Sequence, residues 1–188
     1  MKDSFLNQFY TIDPDTGEYI IEIALKDYDD VFNSWDSSVY NIRDLDSSLK
    51  SFLEECSSDI DVRKNIILRF NMQHQVKNNN MENIIEKGIR NYFRYCLYTS
   101  NNEFYARRKR TATYVLLFSV FAILSFYSQS VIENNIFQQL IFLSLTVGGW
   151  VFLWEAFSLL FIQSSDLWKK QKQYKRLLEA PIMFKYRL

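Results

Sequence analysis

One ionisable side chain stands in an otherwise apolar stretch of this sequence. Residues 136–162 contain a single charged residue, Glu155, which lies six positions beyond the middle of the stretch. At about 1.5 Å of helical rise per residue, its carboxyl group would lie about 9 Å from the midplane of a bilayer. An ionised carboxylate is costly at that depth, so we expect Glu155 to face protein or water, or to hold its proton.

Small and polar residues share one helical face with Glu155. This polar seam consists of Ser144, Gly148, Val151, Glu155, Ser158 and Ile162. Such a seam predicts packing against another helix, and the Gly148-Gly149 pair permits close approach or a bend. Two interpretations stay open: Glu155 lines an ion pathway or acts as a protonation switch, or it forms hydrogen bonds between helices and fixes their register. Two spans cannot enclose a conduit, so any pore requires an oligomer.

Three tryptophans accompany this stretch. Trp150 and Trp154 are one turn apart beside Glu155, and we interpret them as packing residues whose indole N–H could donate to a carboxylate. Trp168 falls at the cytoplasmic border and is typical of an interfacial anchor.

Oxygen-bearing side chains crowd residues 27–46. Clustered carboxylates could bind a divalent cation. Their spacing does not match an EF-hand loop, however, and Asp, Asn and Ser are the ordinary turn and capping residues. We therefore favour turn and capping roles for Asp27, Asp29, Asp30, Asn33, Ser34, Asp36, Arg43, Asp44 and Asp46.

Recognisable motifs for catalysis are absent from the sequence. There is no phosphate-binding loop, dinucleotide fingerprint or nucleophile elbow, and the chain has only four glycines. His74 is the sole histidine, and we interpret it as a solvated loop residue. We expect no catalytic residue, no metal site and no cofactor, and we expect that the chain is not an enzyme.

Two stretches are long enough to cross a membrane, since a hydrocarbon core of about 30 Å requires about 20 helical residues. The remaining polar residues would wrap two such helices poorly in a soluble fold. We predict a cytosolic α+β domain over residues 1–110, transmembrane helices over 111–132 and 136–163, a short extracytoplasmic connection over 133–135, and a cytosolic basic helix and terminal strand over 164–188.

Charge is partitioned along the chain and predicts its orientation. Residues 1–61 carry a net charge of −11, and residues 62–188 carry +11. Basic clusters flank the two stretches, whereas residues 130–138 contain no Lys or Arg, so both termini are predicted to be cytoplasmic in the cell membrane. Lipid headgroups are the expected partners of these clusters, and the acidic N-terminal region argues against nucleic acid. The basic residues are Arg107, Arg108, Lys109, Arg110, Lys169, Lys170 and Lys172.

The cytosolic domain is predicted to contain a β-hairpin, a helix, a strand and a long helix. Residues 9–12 and 18–26 flank a turn-forming Asp-Pro-Asp-Thr-Gly cluster, and the second strand has a half-buried, antiparallel-type pattern. Asp46 is a good N-cap, and residues 64–72 alternate as a strand. The long helix has Gly88 on its inner stripe, where we expect close helix–sheet packing, and it continues into the first span unless residues 100–102 break it. Trp35 and Tyr40 are the expected apolar contacts of the polar stretch from Asp27 to Asp44.

The last residues alternate with a period of two. Ile182, Phe184, Tyr186 and Leu188 share one face after Pro181. We predict a C-terminal strand that rejoins the N-terminal sheet. Cys56 and Cys96 have no CxxC partner and would be reduced in the cytosol.

Several segments resemble a family of prokaryotic membrane proteins that have a cytosolic α/β head followed by a two-span hairpin. These are LKDYDDVFNSWDSSVYNIRDLDSSLKSFL, IIEKGIRNYFRYCLY followed by RRKR, and GGWVFLWEAFSLLF. The resemblance implies the same architecture and draws attention to Gly149, Trp150, Trp154 and Glu155. It implies no catalytic residue.

The sequence favours a membrane-anchored cytosolic binding, scaffold or sensory module that self-associates through the polar seam and binds an unidentified protein or ligand. The alternatives are a small oligomeric channel or membrane effector gated by the cytosolic domain, and a membrane-tethered enzyme.

Overall fold

The computed structural model describes residues 6–39, 43–73, 76–130 and 136–187. The chain divides into two compact units, a head of residues 1–99 with 169–188 and an apolar unit of residues 100–168. The strands are β1 Thr11–Ile12, β2 Tyr19–Leu25, β3 Ile66–Gln73 and β4 Ile182–Arg187. The helices are α1 Ser47–Asp59, α2 Asn79–Ser130, α3 Ile136–Phe157 and α4 Gln163–Glu179, with a 3-10 turn at Tyr28–Val31 and a π-helical turn at Ser158–Ile162.

The head contains a mixed four-stranded sheet with the order β1-β2-β3-β4. The predicted hairpin is confirmed, because β1 pairs antiparallel with β2. Its turn uses Gly17 at a φ of 72°, and the Thr16 hydroxyl donates to Asp13 Oδ2 over 2.8 Å. The antiparallel expectation for β2 holds on this side only, since β2 pairs parallel with β3. Half-buried alternation describes the faces of a strand and does not fix the direction of its neighbour.

Helix α1 makes the crossover between these two parallel strands. It begins after Asp46, as predicted, and the Asp46 carboxylate accepts from the backbone N–H groups of Ser48 at 2.8 Å and Leu49 at 3.2 Å. These hydrogen bonds lower the pKa of the Asp46 carboxyl group. One face of α1 buries Leu49 and Leu53 in the core, which supports the crossover on the sheet.

The predicted C-terminal strand is confirmed as β4, which pairs parallel with β3. Phe184 lies opposite Phe70 in this register, and their rings stack with centroids 5.4 Å apart. Met183 points to the other face and is 44% exposed. Leu188 lies outside the described residues. Strand β4 therefore packs against the head's core.

Arg176 of α4 joins the C-terminal part of the chain to α1 through hydrogen bonds. Its guanidinium donates to the carbonyl oxygens of Asp61 at 2.7 Å and Ile60 at 3.3 Å, and to the Ser57 carbonyl. These carbonyls lie at the C-terminal end of α1, where a cation is favoured by the helix dipole. Burial lowers the pKa of the Arg176 side chain.

Two expectations need correction, and a third lies outside the described residues. Gly88 permits close packing of the Phe32 ring rather than of the sheet, since a Cβ at this position would lie 2.9 Å from Phe32 Cε1. Trp35 is not an apolar contact, because it is 94% exposed. Tyr40, its expected companion, lies outside the described residues.

Helix α2 runs without interruption through residues 100–102, so the Ser-Asn-Asn segment does not break it.

The register of β4 predicts a contrast between adjacent residues. Phe184→Ala removes the ring that stacks on Phe70 and should lower the free energy of unfolding of the head by about 2–3 kcal/mol, somewhat less than for a fully buried Phe. Met183→Ala, on the opposite face, should change it by less than about 0.5 kcal/mol. Denaturant unfolding of the full chain in detergent measures both. Equal losses from the two variants would contradict the register.

Candidate functional site in the apolar hairpin

Helices α2 and α3 each contain a window that is long and apolar enough to cross a membrane. The side chains in these windows are not packed inside the protein: 11% of the first window and 6% of the second is buried. The core helix of a soluble protein would be mostly buried. Instead, large apolar groups point outward along both helices, among them Leu116, Ile123, Phe126, Phe137, Leu143, Trp150, Trp154 and Phe161.

The two helices of the apolar unit contact each other in antiparallel order. The Ser125 and Thr146 hydroxyls are hydrogen-bonded at 2.8 Å, and the Phe121 ring lies 5.3 Å from that of Phe152. Nearer the other end, the Arg107 guanidinium donates to the Gln163 carbonyl over 2.5 Å. Earlier residues of α2 thus meet later residues of α3 and α4. This unit, residues 100–168, is called the apolar hairpin below; its expected connection at 133–135 and the end of the predicted first span lie outside the described residues.

Two adjacent glycines receive aromatic rings from α2. A Cβ at Gly148 would lie 3.0 Å from Phe121 Cε1, and one at Gly149 would lie 3.4 Å from Phe121 Cβ. The glycine pair therefore makes room for a phenylalanine side chain within the hairpin. Gly148 was expected to contact another helix, but its contact with Phe121 and the Ser125–Thr146 hydrogen bond were not predicted. The sequence signal that could have indicated the Ser125–Thr146 hydrogen bond is the presence of Ser and Thr residues on both apolar stretches.

Most of the polar seam faces away from this contact. The residues of α3 that the hairpin buries are Gly149 and Ala156. Val151 is 61% exposed and Ser144 is exposed, and they lie roughly 140–160° around the helix from Gly149 at about 100° per residue. Glu155 lies between these faces and is half-buried. Ser144 and Val151 are thus available to a group outside the chain, whereas Glu155 and Ser158 are half-buried.

The Glu155 carboxylate has no hydrogen bond or ion pair to any residue within the described ranges 6–39, 43–73, 76–130 and 136–187. The predicted indole donors do not reach it, since Trp150 is 64% exposed and Trp154 is 71% exposed, with no such bond in the described chain. A carboxyl group in a membrane needs a partner, a proton or water. The described chain supplies none of these partners.

The helix changes geometry directly after Glu155. Residues Ser158–Ile162 form a π-helical turn, and the Ser164 hydroxyl donates to the Leu159 carbonyl over 2.7 Å. Single π-helical turns inside long helices occur frequently at functional sites. The extra residue in this turn rotates the face that follows Ser158, so Ile162 does not continue the seam with α-helical periodicity.

The predicted basic residues lie on helices. Arg107 is half-buried against Gln163, whereas Arg108, Lys109 and Arg110 are exposed on α2. Lys169, Lys170 and Lys172 are exposed on α4.

The acidic residues 27–46 act as caps and turn formers. Asp27 accepts from Tyr28 N at 2.7 Å, and Asp30 accepts from Asp27 N at 3.0 Å. Asp36 accepts from Ser38 N and Asp44 N, and hydrogen bonds to these two residues hold the pKa of its carboxyl group at about 2. The described residues contain no group of three acidic, Cys or His side chains placed to hold a metal ion. His74 lies outside them.

Comparisons of the chain with protein-family profiles, with curated proteins and with solved structures found no match. The resemblance to prokaryotic two-span proteins therefore stays a prediction.

The Ser125–Thr146 contact predicts a measurable coupling. In a double-mutant cycle of Ser125→Ala and Thr146→Val, the interaction free energy should be about 0.6 kcal/mol, typical of hydrogen bonds between transmembrane helices. Ser119→Ala with Thr146→Val is the matched control, because Ser119 donates within its own helix to Val115. Unfolding in mixed detergent measures both cycles. Equal coupling in the two cycles would show that the hydroxyl pair does not join the helices.

Proposed function

We propose that this chain is a two-span integral membrane protein whose head is a cytosolic binding, scaffold or sensory module, and that copies associate through the outer face of α3. One observation carries the proposal: in the apolar windows of two long helices, only 11% and 6% of the window is buried inside the protein. In water such a surface would be unstable or would aggregate, whereas in a bilayer it meets its natural solvent.

The topology of the head supports an even number of crossings. Strand β4 pairs with β3, and residues 169–188 belong to the same unit as residues 1–99. The chain must therefore return to the compartment that it left. Two apolar stretches between these points satisfy this requirement with one crossing out and one crossing back. The basic residues beside both stretches favour the cytoplasm as that compartment.

Self-association is supported by the environment of Glu155. On insertion scales, placing an ionised side chain deep in the membrane raises the free energy of insertion by about 2.5–3.5 kcal/mol. A second copy of the same face would offer Ser144, Ser158 and another carboxyl group as hydrogen-bond partners. Small and polar residues at helix interfaces have this role in many membrane proteins.

A second function is favoured by the same carboxyl group. The π-helical turn at Ser158–Ile162 follows Glu155 within one turn of helix. In an oligomer, several copies of Glu155 could line a cation pathway, since rings of acidic side chains select cations in channels. The chain would then be a small channel or membrane effector gated by its head.

Substitutions on two faces of α3 test the association. Glu155→Leu removes the polar group from the outer face and should lower the oligomer fraction several-fold, while Glu155→Gln, which keeps hydrogen-bonding groups, should retain most of it. Leu143→Ala is the control, because Leu143 is 57% exposed on a different face of α3. Single-molecule photobleaching in lipid bilayers counts the copies. A monomeric wild-type protein, or an oligomer that tolerates Glu155→Leu, rules out this interface.

Ion flux into liposomes separates the two functions. A channel predicts cation flux that falls in Glu155→Gln, whereas a scaffold predicts no flux in either protein. Flux that is equal in both proteins would exclude Glu155 as the pore-lining group.

A further inference from the structure

An open groove of about 670 Å³ lies on the head between α2 and the end of the acidic loop. Its volume falls within the range of about 300–1,000 Å³ that is typical of small-ligand sites. The groove combines arginines and tyrosines with one carboxylate. Its arginines are Arg43 and Arg94, its tyrosines are Tyr92, Tyr95 and Tyr98, and its acidic residue is Asp44. None of these side chains has a role in the apolar hairpin.

The local sequence builds the groove from one helical face and one loop. Residues 91, 92, 95 and 98 recur at helical spacing on α2, so they line a continuous strip. Gly88, one turn earlier, lets Phe32 pack against the helix, with 2.9 Å from a hypothetical Cβ to Phe32 Cε1. Phe32 in turn supports Arg43, whose guanidinium carbon lies 5.8 Å from the ring centroid. A larger residue at position 88 would require a shift of the Phe32 ring that supports Arg43.

The guanidinium groups are placed for an anion. Arg43 is held at the edge of the groove by its own contacts: its Nε donates to the Asn33 carbonyl over 3.2 Å, and its guanidinium lies 4.0 Å from the Asp29 carboxylate. Arg94 donates to Asn91 Oδ1 over 2.9 Å and makes no ion pair with a carboxylate among the described residues. The acidic member of the groove is already neutralised, since Lys50 Nζ lies 2.6 Å from Asp44 Oδ2.

The tyrosines offer a surface for a planar ring. Tyr95 is 66% exposed and Tyr98 is 64% exposed, and neither ring stacks on another ring within the described chain. Tyr92 is held below them, with Lys50 Nζ 4.9 Å from its ring centroid. Exposed aromatic rings beside arginines are the usual means of stacking a nucleobase while binding its phosphate.

We propose that this groove binds a nucleotide, with the base on Tyr95 and Tyr98 and the phosphate on Arg94 and Arg43. A mononucleotide fits better than a nucleic-acid strand, because residues 1–61 carry a net charge of −11 that would repel a long polyanion. At physiological salt that repulsion is screened over about 8 Å, so a short anion held by two guanidiniums is affected less. This inference deepens the proposed binding role of the head and does not depend on self-association.

Adenosine monophosphate is the probe that tests the groove. Titration calorimetry on the full chain in detergent should detect saturable binding, with adenosine and inorganic phosphate each binding at least tenfold more weakly than the complete nucleotide. Arg94→Gln and Tyr95→Leu should each weaken binding about tenfold or more. The matched controls are Arg108→Gln and Tyr105→Leu, because both residues are exposed on α2 outside the groove and should bind normally.

Each other outcome overturns the assignment. Absence of saturable binding, or binding that Arg94→Gln and Tyr95→Leu leave unchanged, excludes a nucleotide in this groove. If adenosine binds as tightly as adenosine monophosphate, the guanidinium groups do not contact the phosphate. If a Glu/Tyr-rich peptide binds more tightly than the nucleotide, the groove is a site for an acidic protein segment instead. The copy number is measured on the same sample. Nucleotide binding by a monomer refutes self-association alone, and an oligomer without binding refutes the groove alone.

Discussion

The parallel pairing of β4 with β3 is the constraint on which the rest of the chain depends. It packs the half-buried side chains of β4 against the head's core, where Phe184 stacks on Phe70. Everything between residues 100 and 168 is therefore an insertion that begins and ends at one folded unit. Arg176 strengthens this return, because its guanidinium binds the carbonyls at the end of α1, which would otherwise be buried with fewer partners.

The same pairing bears on the proposed membrane hairpin. Without β4, Phe70 of β3 would lack the ring that stacks on it. With β4 in place, both ends of the apolar hairpin connect to the head. On the outer side of α3, the carboxylate of Glu155 has no partner in the described chain.

The sequence predicted those elements whose local signals agree with their tertiary roles. Asp46 caps α1, Gly17 closes the hairpin turn, and the alternation after Pro181 yields β4. The parallel neighbour of β2 was not predictable, because burial alternation records the faces of a strand and not the direction of the adjacent strand. The prediction for Trp35 was wrong for a different reason. Its residue type indicates burial, but hydrogen bonds such as that from Asp44 N to Asp36 hold the loop so that the indole is exposed.

The candidate sites were predicted less evenly. A single acid in an apolar stretch is visible in any sequence, so Glu155 was identified, and helical periodicity placed most of its seam. The ring of Phe121 in the glycine pair and the groove beside Arg94 depend on contacts between segments that are far apart in the chain. Periodicity along one helix contains no information about which partner meets it, so these features required the structure.

Thiol accessibility in intact cells tests the central claim, two crossings with both ends in the cytoplasm, most directly. In a background of Cys56→Ala and Cys96→Ala, single cysteines replace Asn134 in the connection and the exposed Lys185 in β4. A membrane-impermeant maleimide should label Asn134→Cys in intact cells and Lys185→Cys only after permeabilisation. Labelling of both positions from the same side, or of Lys185→Cys alone in intact cells, would contradict the account.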